Sequence, residues 1–165
     1  MSTILNTNGE SLQIPQINKN NTGKFYVITA DWNPEITYAL RDAALEVFHK
    51  AGVEEKNIIS LSVPGTVELV NAAAMTVHED DTAGVVVIGC VIRGDTPHFD
   101  YVCHIAAQGV AQLNAEGKAP VIFGVLTVDN LTQAQERAGG VLGNKGAEAA
   151  AAAITMANLH TSFWF

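Results

Sequence analysis

The sequence predicts an α/β fold: a three-layer α/β/α sandwich built on a four-stranded parallel sheet. Three observations point there. Short apolar runs alternate four times with segments of helical spacing. The third run, Gly84-Val85-Val86-Val87-Ile88-Gly89-Cys90-Val91, shows no polar alternation, as expected of a central strand covered on both faces. The chain has 165 residues, enough for one domain, and is 48% hydrophobic with only 16% charged residues, too apolar for a disordered chain.

The elements follow in order. Residues 1–24 are polar and Asn-rich and read as a flexible arm, in which Leu12, Ile14 and Ile17 alternate with polar residues as an added strand would, in this subunit or on a neighbour. Phe25–Ala30 is the first strand. Asn33-Pro34-Glu35 opens a helix: Asn33 is suited to cap it, Pro34 to its first position and Glu35 to its positive end. Ile36, Leu40, Ala43, Val47 and Ala51 continue at helical spacing to the stop at Gly52. Ile58–Val63 is the second strand, closed by Pro64-Gly65, and a helix with Leu69, Ala73 and Val77 follows. After the third strand, Thr96-Pro97-His98 opens a helix through Leu113, with Thr96 as its expected cap, ending at Gly117. Val121–Thr127 is the fourth strand. A short helix spans Asn130–Ala138 and breaks at Gly139-Gly140; the last runs from Asn144 to about Leu159. One domain therefore covers 25–160, with an aromatic tail at 161–165.

Composition excludes several functions. Nine Lys and Arg against 17 Asp and Glu give a net charge of −8, which argues against nucleic acid, whose phosphates need a basic face. The longest apolar run, about Ala83–Ile92, falls well short of the ~20 residues of a membrane helix. Met1-Ser2-Thr3-Ile4 shows no basic region and no signal core, and Cys90 and Cys103 lack a CxxC pattern; both features fit a cytoplasmic chain with free thiols. The histidines form no HExxH or Cys/His cluster, so no metal is expected. Few charges beside 23 Ala and 14 Gly suggest surface buried against other subunits.

Ligands of such sheets bind beyond the carboxyl ends of the strands. Trp32 follows the first strand, either as a packed residue beside the helix start or as an aromatic plate for a flat heterocycle. Glu68 follows the second, serving either the helix dipole or the hydroxyls of a polyol; the sequence leaves both open. After the third come Arg93-Gly94-Asp95-Thr96-Pro97-His98. Backbone N–H groups near Thr96 suit a phosphate, for which Asp95 needs a nearby cation, and a helix start favours a neutral His98, ready to exchange a proton near pH 7. Arg137 sits where a helix C-terminus ordinarily carries a cation. Lys145 sits at a helix start, where the dipole disfavours one, so it is either solvated or faces an anion or a carbonyl.

Three segments together resemble the 6,7-dimethyl-8-ribityllumazine synthase family: Gly89-Cys90-Val91-Ile92-Arg93-Gly94-Asp95-Thr96-Pro97-His98; Phe123-Gly124-Val125-Leu126-Thr127; and Glu136-Arg137-Ala138-Gly139 with Gly143-Asn144-Lys145-Gly146-Ala147-Glu148. The likeness runs from about Phe25 to Leu159. It implies a flavodoxin-like fold and a transferase of riboflavin biosynthesis that joins 5-amino-6-ribitylaminouracil to 3,4-dihydroxy-2-butanone 4-phosphate, releasing phosphate and water without cofactor or metal. It implies that Trp32 lies against the pyrimidine, that Thr66, Val67 and Glu68 meet its ribityl chain, and that Cys90, Val91 and Ile92 meet the heterocycle. Asp95 and Thr96 would hold the phosphate with Arg137 as counter-cation, and His98 would move protons. Phe123 and Lys145 would complete the pyrimidine pocket, arriving with Arg137 from an adjacent chain.

The family also implies homo-oligomers: pentamers, some assembled into sixty-subunit icosahedral shells. Val67 replaces a frequent larger aromatic, Val70 a frequent proline, and Trp32 a frequent Phe; the larger indole suggests riboflavin binding. A rival reading is a flavin- or lumazine-binding protein on the same scaffold with its chemistry weakened; a further one is a shell whose main role is encapsulation.

Overall fold

A computed structural model describes residues 12–164. Its four main strands are β1 (Lys24–Ala30), β2 (Ile58–Val63), β3 (Thr82–Ile92) and β4 (Val121–Val128). They form one parallel sheet in the order β2-β1-β3-β4. The run without polar alternation is β3, a central strand buried from Gly84 to Cys90. The helices are α1 (Pro34–Lys50), α2 (Glu68–Val77), α3 (His98–Ala115), α4 (Leu131–Arg137) and α5 (Lys145–Trp164).

Alternate residues of each strand point to opposite faces, and each face has its own core. Phe25, Val27, Val86, Ile88 and Leu126 pack with Leu40, Ala44 and Phe48 of α1 and with Ala150, Ala153 and Ile154 of α5. Tyr26, Ile28, Val85, Val87 and Val125 pack with Leu69 and Ala73 of α2 and Val110 and Leu113 of α3. This is the expected three-layer sandwich. Phe25 and Phe48 are fully buried with ring centroids 4.8 Å apart. Each such side chain contributes ~1.5–3 kcal/mol relative to exposure. The small residues have a local use here: a Cβ at Gly146 would lie 2.0 Å from the Leu40 carbonyl oxygen, so α1 and α5 touch backbone to backbone.

Four local expectations differ. Asn33 makes no side-chain cap bond and has a left-handed backbone, with φ 57°. Thr96 does not cap α3, because Pro97, with φ −62°, occupies the cap position and makes no side-chain bond; its ring presets helical geometry one residue later than expected. The Gly139-Gly140 break is a small antiparallel pair, β5 (Ala138–Gly140) with β6 (Gly143–Asn144). The last helix continues to Trp164, through the stretch read as a tail; Phe165 lies outside the described residues.

The polar segment before β1 is partly secured. Leu12, Ile14 and Ile17 pack against the α1–α5 core, Ile17 N–H donates to the Ala51 carbonyl at 2.9 Å, and Asn158 donates to the Gln16 carbonyl at 2.9 Å. No strand forms in residues 12–23, and residues 1–11 of the expected arm lie outside the described residues.

Candidate active site

The carboxyl ends of β1, β2 and β3 surround an open cavity of about 530 Å³. Trp32 and Asn33 line it from the β1–α1 loop, Thr66, Val67 and Glu68 from the start of α2, Cys90, Val91 and Ile92 from the end of β3, and His98 from the start of α3. Eight of the candidate residues thus meet in one place, as the strand-end rule predicts. Gly65 and Val102 also line it; no sequence signal singled them out.

Local chemistry explains how the walls are held. Trp32 is 73% exposed, which removes the packed-core alternative and leaves an indole face open to the cavity. Thr66 is buried, and a Cβ at Gly89 would lie 2.9 Å from its hydroxyl, so glycine lets the α2 start close onto β3. Cys90 packs its side chain into the α1–α5 core. Burial pushes its thiol up to about 11. It is therefore a neutral wall residue and not a nucleophile, since the thiolate is the reactive form.

Asp95 and Thr96 sit exposed in the β3–α3 loop beside His98 and do not line the cavity. No ion pair reaches Asp95 among the described residues, so the cation it was expected to need is not beside it in this chain. The loop is held instead by Arg93. That guanidinium bonds Asp129 at 3.1 Å and Asp100 at 3.3 Å and lies 4.1 Å from the Phe99 ring centroid. Both carboxylates raise its proton affinity, Asp129 foremost. Arg93 stood inside a motif, but its partners are far off in sequence or on the next helix, so its clamping role was not legible.

Phe123, Arg137 and Lys145 gather elsewhere. They line a second cavity of about 310 Å³ along β4, an outer strand of the sheet. Arg137 donates to the Gln133 carbonyl at 2.8 Å and approaches Glu136 at 3.6 Å, the ordinary helix-end placement. A guanidinium carries five N–H donors, so most remain for an anion. Lys145 is buried and donates to Glu148 at 2.6 Å; the anion it faces is within its own helix. The structure therefore divides the candidate set into a heterocycle-sized cavity with His98 and a cationic groove with Phe123. Among the described residues no group of three or more His, Cys, Asp or Glu is arranged to hold a metal ion.

Comparison with known proteins places this geometry in context. A family model described as 6,7-dimethyl-8-ribityllumazine synthase matches residues 22–161. A protein of that name from Bacteroides fragilis is 50% identical over 133 residues, covering 81% of this chain and 93% of that protein. One from Porphyromonas gingivalis is 50% identical over 133 residues, covering 81% and 83%. One from Parabacteroides distasonis is 44% identical over 145 residues, covering 88% and 89%.

Proposed function

The chain belongs to the 6,7-dimethyl-8-ribityllumazine synthase family, and from that premise we propose how its two cavities perform the condensation. The protein is a transferase of riboflavin biosynthesis. It joins 5-amino-6-ribitylaminouracil to 3,4-dihydroxy-2-butanone 4-phosphate. The 5-amino group attacks the ketone and water leaves as an imine forms; phosphate is then eliminated; the ribitylamino nitrogen closes the ring and a second water is lost. Every step moves protons between nitrogen, carbon and oxygen, and none changes the redox state of a cofactor.

The carrying observation is the cavity that unites Trp32, Thr66, Glu68, Ile92 and His98. Trp32 stacks on the pyrimidine. Thr66, Val67 and Glu68 receive the ribityl chain, and Glu68, exposed at the first position of α2, accepts from its hydroxyls. Cys90, Val91 and Ile92 form the floor. His98 shuttles protons at the cavity mouth, and the Asp95–Thr96 backbone receives the phosphate.

The cation for that phosphate is Arg137 of a neighbouring copy, which brings Phe123 and Lys145 with it; a groove on an outer strand suits that exchange. The assembly is a pentamer, with an icosahedral shell as a larger form of the same contacts. A cytoplasmic location fits two free cysteines, and no helix among the described residues is long and apolar enough to cross a membrane.

The direct test mixes the protein with both substrates and follows lumazine absorbance against the spontaneous reaction. Acceleration is expected, reduced ~10²–10⁴-fold by His98→Ala, the usual contribution of general acid–base catalysis. An assembled protein without acceleration would favour the binding-protein alternative. The exposed indole of Trp32 also suits riboflavin; a titration to high micromolar without quenching of flavin or Trp emission would exclude that ligand.

A further inference from the structure

Asn33 is the one non-glycine residue with positive φ among the described residues. An L-residue in that conformation is disfavoured, asparagine least, and such outliers persist where the surroundings hold them. What holds this one is visible. The Asn33 side-chain amide, Nδ2, donates to the Cys90 carbonyl oxygen at 2.9 Å, across 57 residues of sequence. The other flank of the same loop is fixed as well. Asp31 N–H donates to the Val63 carbonyl at 2.9 Å. One Asp31 carboxylate oxygen accepts from the Tyr38 hydroxyl at 3.0 Å and from the Ser62 hydroxyl. Between these anchors stands Trp32, exposed and without a covering side chain. A Cβ at Gly65 would lie 3.5 Å from Trp32 Cδ1, so the indole is set directly against the β2–α2 loop.

The Cys90 carbonyl belongs to the strand end that forms the cavity floor. A single amide thus ties the aromatic plate to the floor, and its length sets the gap between them. We propose that Asn33 is a positioning residue that fixes the width of the slot between Trp32 and Cys90–Ile92, and so selects a planar pyrimidine. This rests on the reading that Trp32 stacks on that substrate. Asn33 touches no reacting atom; it acts through Trp32.

Three variants separate backbone strain from the hydrogen bond. Asn33→Gly accepts the left-handed backbone and folds readily but has no donor. Asn33→Asp keeps the shape and presents an acceptor to the carbonyl. Trp32→Ala removes the plate. Trp32 and Trp164 are the two tryptophans, so a Trp164→Phe background isolates the Trp32 signal. In that background Asn33→Gly and Asn33→Asp should each raise KM for the pyrimidine about 2- to 10-fold, the equivalent of one net hydrogen bond. KM for butanone phosphate should stay within about twofold, and Trp32 fluorescence anisotropy should fall. Asn33→Gly with the parent's pyrimidine KM and anisotropy overturns the inference. Trp32→Ala with an unchanged pyrimidine KM overturns the stacking reading and the inference with it, whereas a raised KM in Trp32→Ala beside a parental KM and anisotropy in Asn33→Gly overturns the positioning role alone.

Discussion

At the residue scale, environment decides what a side chain is able to do more than its type does. Cys90 stands in the most motif-rich segment of the chain and lines the cavity, yet it packs into the core and its thiol is held neutral. This has a consequence for stability against pH. Burial penalises the thiolate and pushes the folded thiol from its ordinary value of 9.0 up to about 11. The unfolded state therefore loses its proton first as pH rises. Stability is full below about pH 9 and falls by ~1.4 kcal/mol per pH unit through the window up to about 11, where the folded thiol also titrates. Denaturant unfolding of the protein and of Cys90→Ala, compared across that window, checks it. The variant should lose less stability with pH than the parent, and parallel curves would refute the assignment. Iodoacetamide at pH 8 should correspondingly spare Cys90 until the protein is unfolded.

At the element scale, the loops between strands and helices do the positioning, and these were the parts least legible in the sequence. The strands were legible because burial writes itself as an apolar run: β3 is a central strand for the reason that Val85 to Ile88 lack any polar alternation. Helix starts were legible to within a residue or two from Pro34 and Pro97. Their side-chain bonds were not. Asn33 reaches Cys90 and Arg93 reaches Asp129, partners 57 and 36 residues away, and no local pattern encodes such a pairing. Arg93 is half exposed, as are the two carboxylates it joins. Exposed ion pairs of this kind typically contribute ~0–1 kcal/mol each. Its main effect is therefore geometric: it ties the β3–α3 loop, with Asp95 and Thr96 and next to His98, to the β4–α4 loop. Arg93→Lys keeps the charge but loses the fork and the stacking on Phe99. It should leave the thermal midpoint within a few degrees while raising KM for butanone phosphate more than KM for the pyrimidine. An equal rise in both would show that the clamp serves general stability instead.

At the scale of the whole molecule, the cavity at the strand ends was legible from the strand–helix alternation, whereas the separate position of the remaining candidates was legible only through the family resemblance. The motifs identify Phe123, Arg137 and Lys145 alongside His98, and one chain holds them apart, in separate cavities on different strands. The lone chain also exposes Met75, Tyr101 and Val141, large apolar groups that the proposed assembly offers a way to cover. The assembly proposed above accounts for both features, with each complete site taking His98 from one subunit and Arg137 from the next. That account makes a sharp prediction for mixtures. His98→Ala and Arg137→Ala are each expected to be nearly inactive alone. Unfolded together in equal amounts and refolded into shared rings, they produce four kinds of subunit boundary. In one of the four, the subunit supplying His98 carries the Arg137 substitution and its neighbour, supplying Arg137, carries the His98 substitution. That boundary is intact, so about a quarter of parental activity should return with random mixing in a closed ring. If both residues served the same chain's site, every site would carry one defect and mixing would restore nothing. Light scattering on the same samples confirms that rings formed, so a failure to assemble is distinguished from a failure to complement.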